Sequence, residues 1–146
     1  MRTKLATAIA TVAVTAAAAQ PAAALETYSA NGSYITPNGH KLNQGSNARV
    51  LSGDATTVTI SLECFANTSA PARGTGIDVC EIRGADGSVR KSVFTGFHPG
   101  TFYATGQVFE NIPRQHYRVC VRADGAWYEG SALNEEYFLA PEVCSA

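Results

Sequence analysis

The sequence predicts an all-β fold, a small antiparallel β-sandwich of the immunoglobulin-like or a similar kind with two disulfides, and three observations predict it. Alternating apolar and polar stretches recur along the chain at strand length. Turn residues punctuate them, 13 Gly and 6 Pro in all, and no stretch sustains a helical period. Four cysteines, an even number, can staple such a domain. A closed barrel is the other way of arranging the same strands.

Residues 1–24 read as a signal peptide. Arg2 and Lys4 make a positive start, and an uncharged Ala/Val/Ile/Thr run extends from Leu5 to Ala19 before Gln20-Pro21 breaks it. Ala22-Ala23-Ala24 matches a small-residue cleavage site, so the mature chain is expected to begin at Leu25. The run is too short and too weakly apolar to span about 30 Å of hydrocarbon. No second apolar segment follows it, so the expected product is secreted and extracellular, with no membrane span. The Ala-rich leader points to a bacterial source.

About 120 residues remain, a one-domain length able to bury a single core. Arg2 and Lys4 leave with the leader, so nine of the eleven Lys and Arg stand against twelve Asp and Glu, a formal charge of −3. A nucleic-acid partner would need a basic face, and none is visible. From residue 25 to 45 the chain is polar and rich in turn residues (Asn31-Gly32, Pro37-Asn38-Gly39), which reads as a flexible N-terminal arm ahead of a disulfide-stabilised β domain over 46–146.

The clearest strand is Thr56–Cys64, in which Val58, Ile60, Leu62 and Cys64 share one face while Thr, Ser and Glu take the other. Further strands are expected over Ile77–Arg83, Ser88–Phe94, Thr101–Ile112, Gln115–Ala123, Ala126–Ser131 and around Tyr137–Leu139. Two segments repeat a pattern of strand, Ala-Asp-Gly, strand: Val79–Ser88 and Val119–Ala126. Asp-Gly between apolar runs is a hairpin signal, since a type I′ turn needs positive φ at both central residues. That turn at Asp86-Gly87 sets Arg83 against Arg90, a like-charge pair that counts against it. At Asp124-Gly125 it sets Arg122 opposite Trp127, a pairing that would lay a guanidinium over the indole.

An exported chain meets an oxidising compartment, so Cys64, Cys80, Cys120 and Cys144 are expected to form two disulfides. Of the three connectivities, 64–80 with 120–144 is favoured because each closes a short loop. Residues 65–79, rich in Gly, Ser and Thr, are poorly able to order themselves, and clamping a loop of that size contributes about 3 kcal/mol. Cys64 lies on the apolar face of its strand. Cys120 shares a face with Arg118 and Arg122 and is expected nearer the surface. Zinc would require close C-x-x-C pairs, so no metal is expected, and no cofactor motif occurs.

No catalytic residue is recognised. His40, His98 and His116 are far apart in sequence, and G-x-S-x-G is absent. The residues that stand out are aromatic and adjacent. Phe102-Tyr103 and Trp127-Tyr128 each must put one member on either face of a strand, leaving aromatic surface outside the main core. Trp127, Tyr128, Arg122, Phe102 and Tyr103 are therefore the candidate binding residues. The strand ending in Thr59–Cys64, the later Asp124–Trp127 and the two-disulfide plan faintly resemble the secreted subtilisin-inhibitor family over about a quarter of the mature chain. That family's reactive loop lies beside its third cysteine; Cys120 reads as strand, so no reactive-site residue is carried over.

The expected function is that of a non-enzymatic protein-binding β module, an adaptor subunit or an inhibitor of an extracellular enzyme, whose partner is another secreted or cell-surface protein. The alternative is a carbohydrate-binding module that stacks exposed aromatics on a glycan. A third is a small secreted hydrolase.

Overall fold

The computed structural model describes residues 26–128 and 135–146; the leader expected over 1–24 lies outside them. The described chain forms ten strands and no helix. β1 (Thr27–Ile35), β2 (Lys41–Gly53), β3 (Thr57–Thr68) and β7 (Phe102–Pro113) make one antiparallel sheet in the order β1-β2-β3-β7. The second sheet has β8 (Tyr117–Tyr128) between β4 (Gly74–Gly84) and the pair β9 (Glu135–Leu139) and β10 (Val143–Cys144), with short β5 (Arg90–Ser92) and β6 (Phe97–Pro99) on the far side of β4. The chain changes sheets between β3 and β4, back between β6 and β7, and again between β7 and β8. With β1 set aside, this adjacency is the A-B-E and C-F-G order of immunoglobulin-type sandwiches. The Tyr117 hydroxyl, at the start of β8, donates to the Pro113 carbonyl, which closes the corner between the sheets as a tyrosine corner does.

Alternation builds the interior. Val58, Ile60, Leu62, Cys64 and Ala66 of β3 face Ile82, Val119, Val121, Ala123 and Trp127 of the other sheet, and all are buried. The Cys64–Cys80 bond joins β3 to β4 and so ties sheet to sheet, with Cα atoms 6.1 Å apart. Cys120–Cys144 joins directly opposed residues of β8 and β10 within one sheet, at the 4.1 Å spacing of a close antiparallel pair. The local pairing read from loop length is the one found. Cys120 does lie on the Arg118/Arg122 face, yet it is fully buried, with β10 paired alongside it.

The N-terminal half differs from expectation. Residues 27–53 are no mobile arm but a paired hairpin, with Thr27 opposite Arg49 and Ile35 opposite Lys41. The inner face of β1 carries Tyr28, Ala30, Gly32 and Tyr34. Gly32 meets Val143 so closely that a Cβ there would lie 2.8 Å from its methyl. The disulfide loop is likewise mostly strand, since β3 runs to Thr68 and β4 begins at Gly74.

The two Asp-Gly sites part company. At Asp86-Gly87 the hairpin forms in the expected register, Arg83 opposite Arg90. Only Gly87 is left-handed (φ 79°), and the Gly87 amide donates to the Gly84 carbonyl within a loop spanning 85–88. The like-charge pair is neutralised by Glu81, which accepts from Arg83 Nε at 2.8 Å and Arg90 Nε at 2.9 Å. At Asp124-Gly125 there is no turn. β8 runs straight through, with Asp124 between Gly76 and Leu139 and Gly125 between Thr75 and Phe138. Arg122 lies opposite Val79, not Trp127. The reason is tertiary: a Cβ on Gly125 would lie 2.7 Å from Leu42, 2.9 Å from Thr68 and 2.9 Å from Trp127, so this glycine serves close packing.

A polar strut crosses the sandwich. Gln44 of β2, 3% exposed, donates to the Pro141 carbonyl at 2.7 Å and accepts from the Ala123 amide at 2.6 Å, which satisfies both ends of a buried amide.

The bridges should be unequal in effect. Replacing Cys64 and Cys80 by Ser removes a tie between sheets and leaves a defect in the core, worth about 2 kcal/mol or more; replacing Cys120 and Cys144 loosens the last strand and leaves its defect outside the core cluster. Thermal melts of the two double variants should place the Cys64/Cys80 variant lower, and the reverse order would refute this assignment.

Candidate functional site

The outer faces of the two sheets are unlike each other. On the four-stranded sheet the register lines up rows of outward side chains: Asn31, Gly45, Phe65 and Ala104 in one, Ser33, Asn43, Asn67 and Phe102 in the next. Phe65 is 39% exposed and Phe102 55%. The Phe65 ring lies on the backbone of Gly45, where a Cβ would fall within 3 Å of three ring atoms. Between Phe65 and Phe102 a shallow depression of about 520 Å³ is floored by Ala104 and Gly106 and edged by Glu63. Small residues around the two rings keep the face flat, and asparagine amides border it on the β1 side.

Of the sequence candidates, Phe102 belongs to this face. Tyr103 turns inward, 8% exposed, and its ring meets His98 edge-on at 4.8 Å. Trp127 is fully buried. Its indole N–H donates to the Ser69 carbonyl at 2.9 Å, and His40 stacks on it with ring centroids 4.6 Å apart. A ring enclosed in this way has no surface to offer a ligand, so the expectation of a Trp127 platform is corrected. Tyr128 is 46% exposed on the opposite side of β8 from Trp127, which is the split that adjacency requires. Arg122 pairs with Asp78, its Nε 2.9 Å from the carboxylate, and makes no contact over the indole. Asp78 is the extra residue at the register shift between Ile77 and Val79, and this bulge re-aims its side chain toward Arg122.

Phe65 is the site residue that the sequence reading missed. Its signal was present: past Cys64 the alternation continues, Ala66 inward and Phe65 and Asn67 outward, although residues 65–79 as a whole read as a loop.

The buried carboxylates among the described residues, Glu81 and Asp124, both lie on the six-stranded sheet. Asp124, 7% exposed, sits under Phe97 and Tyr137, whose centroids are 6.2 Å apart; Arg73 lies 5.8 Å over Phe97 and pairs with Glu135. The Tyr137 hydroxyl donates to Asp124 Oδ2, whereas Oδ1 is enclosed with no hydrogen-bond partner. Burial pushes the Asp124 carboxyl above its ordinary value, and the Tyr137 bond offsets only part of this. The same burial and the neighbouring carboxylate raise Tyr137. Glu81 goes the other way: burial alone would raise it, but the hydrogen bonds from Arg90 and Arg83 outweigh that and hold it low. Cys120, Glu142 and Cys144 cluster closely, but the sulfurs are bonded to each other and offer no thiolate to a metal. His116 Nε2 lies 3.1 Å from the Ala146 carbonyl, and its ring meets Tyr28 edge-on.

No protein-family model matches the chain, and no curated protein or solved structure is significantly similar to it.

A raised carboxyl has a definite sign in stability. Its contribution is fully present below the ordinary value of 3.8 and is lost as pH rises through the elevated folded-state value. Asp124→Asn keeps an oxygen for Tyr137 and removes the charge. Melting curves across pH should show the wild type losing ground to Asp124→Asn as pH rises, by about 1 kcal/mol or more at neutrality for one unpaired buried oxygen. Parallel profiles would contradict the assignment. Contributions of the opposite sign, from Glu81 and from Asp54, which the Thr57 and Thr56 amides hold down to about 2, cancel in the difference.

Proposed function

We propose that this chain is a secreted, non-enzymatic protein-binding β module that engages another extracellular protein through the outer face of its four-stranded sheet. The observation that carries this reading is the pair Phe65 and Phe102, held in the open on a flat floor of Gly45, Ala104 and Gly106. Burying an aromatic ring contributes about 1.5–3 kcal/mol, so two rings left in water on one rigid face suit the centre of an interface. The neighbouring asparagine amides suit its polar rim. The leader, the oxidised cysteines and the stapled sandwich fit a domain that works outside the cell, where disulfides persist.

One observation favours a second reading. An exposed ring against Gly45 with amides beside it also suits contact with a sugar ring, and a glycan takes the place of the protein partner in that case.

Affinity capture from the medium of the producing cell, with the mature chain immobilised, tests the choice. The wild type should recover a specific protein, and Phe65→Ser with Phe102→Ser should lower that recovery about tenfold or more, the scale of losing interface anchors. Equal recovery by the folded double variant, or repeated recovery of nothing, would overturn the reading; selective binding on a glycan array in place of a protein would favour the second.

A further inference from the structure

β7 pairs with β3 on one side only and ends the four-stranded sheet; among the described residues no strand lies on its other side. An unpaired edge usually carries a charge, a proline or a bulge that discourages pairing with another chain. On β7 those devices come late. The bulge at Glu110 and Asn111 (φ 56°) and then Pro113 protect the end of the strand, while Phe102–Phe109 (Phe-Tyr-Ala-Thr-Gly-Gln-Val-Phe) holds no charged residue and no proline.

We propose that the free edge of β7 pairs with β7 of a second copy of this chain, antiparallel about a two-fold axis at Thr105, so that two four-stranded sheets become one of eight. Antiparallel partners directly opposite share a face, so the axis must fall on a residue and not between two. The pattern of exposed side chains then selects which. An axis at Thr105 sets Phe102 of each copy opposite Val108 of the other, joining residues that are 55% and 46% exposed, and sets Ala104 opposite Gly106. An axis at Ala104 would leave Val108 opposite Gly100, and one at Gly106 would put Phe102 against Glu110. Thr105 also holds Phe94 at this edge. Its hydroxyl donates to the Phe94 carbonyl at 2.9 Å, and Phe94, 87% exposed, is the most open large apolar residue described. One axis therefore pairs two exposed apolar residues of each copy and takes up edge backbone groups that no described strand pairs.

The inference goes beyond the proposed partner binding, because it concerns the backbone edge and a second copy. Sedimentation velocity separates the two: the purified protein alone should show a monomer–dimer equilibrium with a half-point of about 1–100 μM, with no other protein present. Thr105→Lys and Thr105→Asp each put like charges face to face at the axis and should raise that half-point about tenfold or more, while an equimolar mixture of the two should bring it back to the wild-type range or below. Hydrogen exchange on the wild type gives an answer even if both variants misfold: amides within 102–108 should become protected as concentration rises. A wild type that stays monomeric throughout, variants that dimerise as the wild type does, a mixture without recovery, or protection that arises only when a foreign protein is added would each overturn the second-copy assignment.

Discussion

Leu42, Thr68 and Trp127 close over the backbone of Gly125, and much of the architecture depends on there being no side chain beneath them. The two sheets meet at this point. Because the contact needs β8 as an unbroken strand, Asp124-Gly125 is extended, and β4, β9 and β10 find their places along its two sides. Thr75, opposite Gly125, reaches Thr68 at 2.7 Å and the Gly100 carbonyl at 2.8 Å, so a fully buried hydroxyl is satisfied across the same junction. Trp127 then stacks on His40, the residue before β2. One missing side chain thus couples the N-terminal hairpin to the central strand of the opposite sheet.

Among the described residues the buried polar groups divide into those that are satisfied and one that is not. Gln44 and the Thr68–Thr75 pair make their bonds within the interior and specify how the sheets face each other. Glu81 collects two arginines that would otherwise repel. Asp124 is the exception, with one oxygen bonded to Tyr137 and one bonded to nothing, on the side of the sheet roofed by aromatic rings. Its burial follows from its position beside Gly125: a strand forced to continue carries its turn-prone residue into the sheet with it.

Where the local pattern was strong, sequence and structure agree. β3 is legible because four apolar residues alternate with Thr, Ser and Glu, and both disulfides are legible because each closes a short loop. β1 and the first half of β2 were hidden by their composition. The inner faces rest on Tyr28, Ala30 and Gly32, and on Leu42 with Gln44, too little apolar contrast to separate a strand from a polar loop. The misreading of Asp124-Gly125 has a different origin. Its dipeptide is the one that does turn at 86–87, and the residues that decide between the outcomes, Leu42 and Thr68, are more than fifty positions away in the chain. The binding candidates divide in the same manner. Adjacency predicted that Phe102-Tyr103 and Trp127-Tyr128 split between faces, which they do, but which face is open depends on the sheet above, so Trp127 is enclosed and Phe65 stands exposed.

The close approach at Gly125 can be tested with one methyl group. If Gly125 were a strand glycine with free space above it, Gly125→Ala would leave stability unchanged or raise it by about 0.4–1 kcal/mol through the unfolded chain. Where the methyl must enter contacts of 2.7–2.9 Å with three buried side chains, the same substitution is expected to destabilise the fold by about 1–3 kcal/mol. Equilibrium denaturation of wild type and Gly125→Ala under matched conditions measures the difference directly: a lower midpoint at unchanged slope is the predicted result, and a midpoint equal to or above that of the wild type would contradict the central role given to this contact.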